Sequence, residues 1–275
     1  MFLDSMFVDV DTAYQLISRI AAVALIISSL EEISLRKGFI SGGVYDLHYL
    51  DAAHPGHDVR TRLPARNRSE HLVLCPAVRL IAAGSLLVGP NTVVQMAVAW
   101  TIVAVTTVVI QARHRLGGED GSDQMMTILA VTFAISLVLS SCPGVLEAGL
   151  YFIGAQAVLS YCTAGIAKLL SPEWRHGDAV CGILSTRSHG MRGPARLVQR
   201  SRPLQLLLCW ATIIFESAFV LAPFLSPLPL AALLVVALAF HASIAAVMGL
   251  NGFFWAFVST YPAIIFLNEA TRAVL

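Results

Sequence analysis

The amino-acid sequence predicts an all-α protein: a polytopic membrane helical bundle of about eight transmembrane helices, forming a single integral-membrane domain over residues 1–275. Three observations lead there. The chain is 57% hydrophobic and only 13% charged, whereas soluble domains carry about a quarter charged residues. Its mean hydropathy is +0.74. Several apolar runs approach the roughly 20 residues that cross ~30 Å of hydrocarbon at about 1.5 Å per residue. A water-soluble globule of this size lacks the interior volume to hide so much apolar side chain. A soluble nucleotide-binding or barrel enzyme, a disordered chain and a secreted disulfide scaffold are therefore excluded, and little chain is left for a large extramembrane part.

The expected spans are Ala13–Leu30, His71–Gly89, Asn91–Gln111, Gln124–Ser140, Leu146–Leu170, Pro203–Ala222, Pro229–Gly249 and Phe253–Leu267. Gly89-Pro90-Asn91, Cys142-Pro143-Gly144, the stretch from Pro223 to Pro229, and Gly249-Leu250-Asn251-Gly252 supply the turns between them. Asp4, Asp9 and Asp11 precede the first basic residue, Arg19, so the start does not read as a cleavable signal peptide. The five cysteines, Cys75, Cys142, Cys162, Cys181 and Cys209, are widely spaced and form no Cys-x-x-Cys pair. They read as packing residues, not as disulfides or metal ligands.

Charge sets the expected orientation. Fourteen of the 18 Lys and Arg residues fall in the segments after spans one, three and five, from Arg36 to Arg68, at Arg113 and Arg115, and from Arg175 to Arg202. The positive-inside rule makes that side cytoplasmic and puts both termini outside. Most of these cations are expected to anchor their loops to anionic lipid. A net charge of +1 offers nothing to nucleic acid. The expected partners are the lipid bilayer and a lipophilic small-molecule substrate, with a protein partner as the alternative.

Ionisable groups within apolar runs need a reason, because inserting a charge costs about 2.5–3.5 kcal/mol. Arg19 and Glu216 each lie roughly six residues from the outer end of their span, which predicts a buried Arg19–Glu216 ion pair. Arg79 lies within reach of Glu31 or Glu32, and His241 stands near the middle of span seven. Gln95, Gln111, Gln156 and Gln205 are expected to face the bundle interior. Lys168 ends an apolar run, about two residues from the boundary of span five, and supports two readings. One is a lysine snorkelling to the headgroups. The other is an amine kept dry between helices, where desolvation disfavours the charged form and frees the nitrogen to act as a base. Asp46, His48, Asp51, His54, His57 and Asp58 crowd one loop, but their spacing matches no metal motif and Pro55-Gly56 marks an irregular turn. No metal site is expected.

Several stretches together resemble the vitamin K-dependent carboxylase-like superfamily, whose bacterial members are called HTTM (horizontally transferred transmembrane) proteins. Ala164-Gly-Ile-Ala-Lys168-Leu followed by Trp174-Arg-His-Gly177 is similar to that family's Ala-Gly-x-x-Lys-Leu and Trp-x-x-Gly. Phe240-His241, then Met248-Gly-Leu-Asn251 and Phe253, resembles its His, Met-Gly-Leu and Phe block. Asp120-Gly-Ser-Asp123 resembles its acidic helix-opening turn, and Glu216 sits where those proteins often carry an intramembrane glutamate. The resemblance covers roughly residues 71–267.

The resemblance implies a bacterial plasma-membrane protein with Lys168 as a base and His241 as its orienting or proton-relaying partner. It also implies a reduced quinone as co-substrate, since in the carboxylases the matching lysine starts oxygenation of one. The large extramembrane part of the carboxylases has no counterpart before Leu275, so carboxylation of a protein glutamate is not expected. The leading expectation is an integral-membrane enzyme doing acid–base chemistry on an isoprenoid- or quinone-like molecule. A second is a terpenoid cyclase started by a carboxylic acid (Glu216, Glu31, Glu32 or Asp123), although none forms an Asp-rich terpenoid motif. A third is a non-catalytic membrane partner in peptide maturation or export.

Overall fold

The computed structural model describes residues 8–35, 69–114, 121–186 and 190–275. Every regular element among them is helical: α1 Val10–Ser34, α2 Ser69–Val88, α3 Val93–His114, α4 Gly121–Val138, α5 Val145–Leu170, α6 Pro172–His176, α7 Asp178–Leu184, α8 Arg192–Gln199, α9 Arg202–Ala218, α10 Pro227–Met248, α11 Asn251–Val258 and α12 Tyr261–Val274, with a 3-10 stretch at Phe219–Phe224. Five are long and apolar enough to cross a membrane: Val93–Gln111, Gly121–Val138, Val145–Leu170, Arg202–Phe224 and Pro227–Met248. Leu74–Val88 is a shorter apolar helix. Ile81, Val94, Leu207, Ile214 and Val235 are each more than half exposed. A lipid surround accounts for that pattern where water does not. The loop from Asp46 to Asp58, the acidic residue Asp120 and the whole basic segment Arg36–Arg68 lie outside the described residues.

By its internal contacts the chain forms two compact units, Ser18–Gly149, and Met1–Ile17 with Leu150–Leu275. In the first, α2 packs on α3 and α3 on α4. Trp100 is fully buried, meets the Phe133 ring edge-on at 5.2 Å, and donates its indole N–H to Ser18 at 2.9 Å. Gln111 reaches the Asp123 carbonyl at 2.8 Å, tying α3 to the first turn of α4. Between α2 and α3 the chain turns through Asn91 at φ 52, and Gln95 closes the turn by bonding both the Asn91 amide and the Ser85 carbonyl.

Arg79 is the buried cation of this unit, 3% exposed. Its guanidinium donates to Ser29 at 2.9 Å, Ser28 at 3.2 Å and Glu32 at 2.7 Å. Of the two carboxylates expected to reach it, Glu32 faces the bundle and Glu31 is exposed. An arginine held in an apolar setting needs a carboxylate and further acceptors of this kind.

The second unit contains two breaks that the apolar runs conceal. Past Ala218 the α9 helix tightens into a 3-10 stretch that contains Pro223, and Asn268 of α12 donates to the carbonyls of Ala222 and Leu225 at its end, both at 2.8 Å. The expected span Phe253–Leu267 is divided into α11 and α12. Pro262 lacks the N–H that would continue the ladder, and the hydroxyls of Ser259 and Thr260 turn back onto the carbonyls of Ala256 and Phe257. At the chain's other end, Asp9 precedes α1 and accepts from the Thr12 amide and hydroxyl, each at 2.8 Å. These bonds, the amide first, hold its carboxyl below the usual carboxylate range.

The Arg79–Glu32 pair sets a test. Glu32→Gln leaves the arginine uncompensated and should lower stability by about 3–5 kcal/mol, seen as a lower unfolding midpoint in detergent. Glu31→Gln should stay within about 0.5 kcal/mol of wild type.

Candidate functional site

On α5, Gly154, Tyr161, Gly165 and Lys168 follow at intervals of seven, four and three residues, so helical geometry puts them on one face. That face is packed closely. A Cβ on Gly154 would meet the Ala263 carbonyl of α12 at 2.5 Å, and one on Gly165 would meet the Ser217 amide of α9 at 2.6 Å. Only glycine allows the two backbones to approach so nearly at these points.

The close approach at Gly165 has a chemical consequence three residues later. Lys168 Nζ donates to Glu216 Oε2 at 2.6 Å. The lysine side chain is 20% exposed and the carboxylate 7%. Trp174 places its ring 5.2 Å from the same ammonium, an attractive position for a cation. Trp174 is held there by local geometry. Ser171 caps α6, Pro172 occupies its first turn, and Gly177 at φ 89 ends α6 and begins α7. Gly177 also lies against the Leu206 backbone, where a Cβ would approach to 3.1 Å.

Further contacts keep the chain beside α9 after Lys168. Gly165 meets Ser217, Trp210 donates to the Arg175 carbonyl at 3.2 Å, Gly177 meets Leu206, and Arg202 binds Asp178 at 2.5 Å. After Leu170 the chain therefore keeps running antiparallel to α9 instead of leaving it. Lys168 pairs with a residue fourteen positions, or about 21 Å, beyond Arg202. Beyond the end of α5, α6 and α7 prolong the same packing.

The expected Arg19–Glu216 ion pair is corrected by the same geometry. Glu216 is 5% exposed and its carboxylate is held by Lys168, while Arg19 is exposed. Equal distances from helix ends do not make two residues neighbours; the helix packing does.

His241, on α10, is 3% exposed. Its Nε2 lies 2.7 Å from the Tyr161 hydroxyl, with the donor set by the imidazole tautomer. The imidazole stacks on Phe257 at 4.7 Å, and Tyr161 stacks on Phe219 at 3.7 Å. His241 thus bonds Tyr161 and not Lys168; the two polar pairs, Lys168–Glu216 and Tyr161–His241, sit about 10 Å apart along α5. His241 Nδ1 and Ser217 Oγ are buried without a hydrogen-bond partner. Between α9 and α10 lies an open apolar groove of about 490 Å³, lined by Ala211, Phe215, Ala218, Leu233 and Val236 among others. The Phe215 ring separates it from Tyr161, the two centroids being 5.9 Å apart.

The remaining expected residues are spread out. Asn251 opens α11 and is exposed. Asp123 lies in the first turn of α4, in the other unit. Tyr161 carries no role in the sequence reading, although its seven-residue spacing from Lys168 was a readable signal that the two share a face. Among the described residues no cluster of three or more His, Cys, Asp or Glu is arranged to hold a metal ion.

The packing at Gly165 makes a signed prediction. Gly165→Ala should cost about 1–3 kcal/mol by forcing α5 from α9. Gly182→Ala, on α7 with nothing within 4 Å of the added carbon, should instead gain about 0.5–1 kcal/mol. Thermal unfolding in detergent reads both. Comparison with protein-family models, with curated proteins and with solved structures finds no match to this chain.

Proposed function

We propose that the unit containing α5 and α9–α12 is an intramembrane acid–base catalyst acting on a lipophilic, isoprenoid- or quinone-like substrate, as the resemblance to the vitamin K-dependent carboxylase-like superfamily implies. The observation that carries this reading is the Lys168–Glu216 contact of 2.6 Å, set within two helices long and apolar enough to cross a membrane. A buried ion pair is a poor device for stability alone, since apolar residues of the same volume usually serve as well or better. Its use is chemical. Passing the proton from Nζ to the carboxylate converts the ion pair into a neutral pair, a change that a dry site opposes less than water does. The amine so released is a base, and the carboxylic acid beside it is a proton source.

The surroundings support that substrate class. Phe215, Phe219, Phe240 and Phe257 surround the Tyr161–His241 pair, and the nearby groove is lined by carbon. A flat ring with a hydroxyl and an apolar tail fits such a setting. Its hydroxyl would satisfy the orphaned His241 Nδ1, whose unmade bond otherwise costs about 1–3 kcal/mol. A reduced quinone belongs to that class and is proposed as substrate, with Lys168 as the base and His241 as the group that orients it through Tyr161. Of the acids open to the cyclase alternative, Glu216 is paired with Lys168 and Glu32 with Arg79, which favours the base reading over it. The proposal includes a bacterial plasma-membrane location with about eight crossings, termini outside and basic segments in the cytoplasm. The one-sided placement of the cations supports that orientation.

Isolated membranes incubated in deuterated buffer provide the test, with deuterium in the lipid fraction read by mass spectrometry. Wild type should label a lipid-soluble product. Lys168→Met and Glu216→Leu singly should lower protein yield, since each leaves a buried partner charge. The double variant should restore yield but lose labelling by about 100-fold or more. Labelling retained in a well-folded double variant refutes the catalytic reading and leaves the pair a packing device.

A further inference from the structure

We infer that α8 is an interfacial helix whose outward face binds the headgroups of anionic phospholipids. This inference stands apart from the catalytic reading, because no residue of the Lys168–Glu216 or Tyr161–His241 pairs takes part.

The position of α8 comes from its packing. Ala195 and Val198 of α8 are buried with Leu184 of α7, against Leu204 and Leu208 in the first turns of α9 and Val247 and Met248 in the last turn of α10. Helices α9 and α10 are two of the chain's candidate membrane spans. The start of one and the end of the other meet at this cluster, so α8 covers the place where both spans terminate. A helix in that place lies at a bilayer surface.

The orientation of α8 is fixed by a polar clamp. The Gln205 side chain donates to the Val198 carbonyl at 3.0 Å, at the helix's last turn. Arg202 holds the Gln205 carbonyl oxygen at 2.8 Å and bonds Asp178 and the His176 carbonyl. Helix α8 is therefore fastened to the first turn of α9 and to α7, and its outer face is presented in one direction.

That face has the composition of a membrane-surface helix. At 100° per residue, Arg196, Leu197 and Arg200 fall opposite Ala195 and Val198. Arg196 and Arg200 are exposed, and Leu197 between them is 65% exposed. No carboxylate follows within α8 or at the cap, so this face is purely cationic. Guanidinium groups pair bidentately with phosphate, and an exposed leucine beside them enters the boundary between headgroups and acyl chains. An acidic soluble protein would satisfy the arginines but not Leu197. The charge and the apolar side chain together select an anionic lipid.

The full-length protein in detergent, titrated with short-chain phosphatidylglycerol or phosphatidylcholine and read by native mass spectrometry, tests this. Wild type should bind phosphatidylglycerol at least ten-fold more tightly than phosphatidylcholine. Arg196→Gln with Arg200→Gln should weaken its tightest phosphatidylglycerol site by about 30-fold. The charge-preserving double Arg196→Lys with Arg200→Lys should stay within a few-fold of wild type, which separates lost charge from lost folding. Leu197→Gln should weaken both lipids. The proposal fails if the double Gln variant binds phosphatidylglycerol as wild type does, or if phosphatidylcholine binds equally. It fails also if millimolar inorganic phosphate displaces the lipid, which marks a free-anion site. Tighter binding of a polyglutamate peptide than of phosphatidylglycerol likewise overturns it, and marks a protein-docking face.

Discussion

The approach of α5 to α9 at Gly165 is the constraint on which the chemistry of this molecule depends. In an apolar surround no water is present to solvate an ammonium or a carboxylate, so the distance between two backbones decides whether such groups can coexist. A side chain at Gly165 would strike the Ser217 amide. Without one, Lys168 comes within 2.6 Å of Glu216, and the following turn brings Trp174 over the same nitrogen. Three residue types that seem separate in the chain, a glycine, a lysine and a tryptophan, thus express one packing requirement.

The same economy recurs elsewhere in the molecule. Arg79 is surrounded by two serines and a glutamate. Asn268 takes up the carbonyls of Ala222 and Leu225 where the 3-10 stretch ends, and Gln205 covers the last turn of α8. Each is a polar side chain placed where the backbone or a charge would otherwise stand unsatisfied. Among the described residues the atoms left unmet are spread over both units: His241 Nδ1, Ser217 Oγ and Glu269 Oε1 in one, and Glu32 Oε2, the Asn91 side chain and Thr107 Oγ1 in the other. Unmet bonds of that kind are costly in an apolar setting.

Much of this was legible in residue type and little of it in residue distance. Lys168, Glu216, His241 and Arg79 declare themselves, because an ionisable group in an apolar run always demands an explanation. Their partners do not. Matching depths suggested Arg19 for Glu216, but depth along one helix carries no information about which helices are neighbours. The apolar run ends at Leu170, as the candidate span Val145–Leu170 does, but nothing in it announces that α6 and α7 continue along α9. The last expected span runs across Pro262 and is two helices, a break that proline's missing N–H explains.

The sequence by itself determined that the chain is helical and apolar enough to enter a membrane, because hydrocarbon leaves an unpaired backbone no alternative and composition is a property of single residues. It also determined which side chains needed partners. The pairing of those side chains was decided only by tertiary structure, since a 2.6 Å contact between residues 48 positions apart depends on the crossing of two helices at a single glycine. Helical periodicity fixes which face a residue occupies; it does not fix what that face meets.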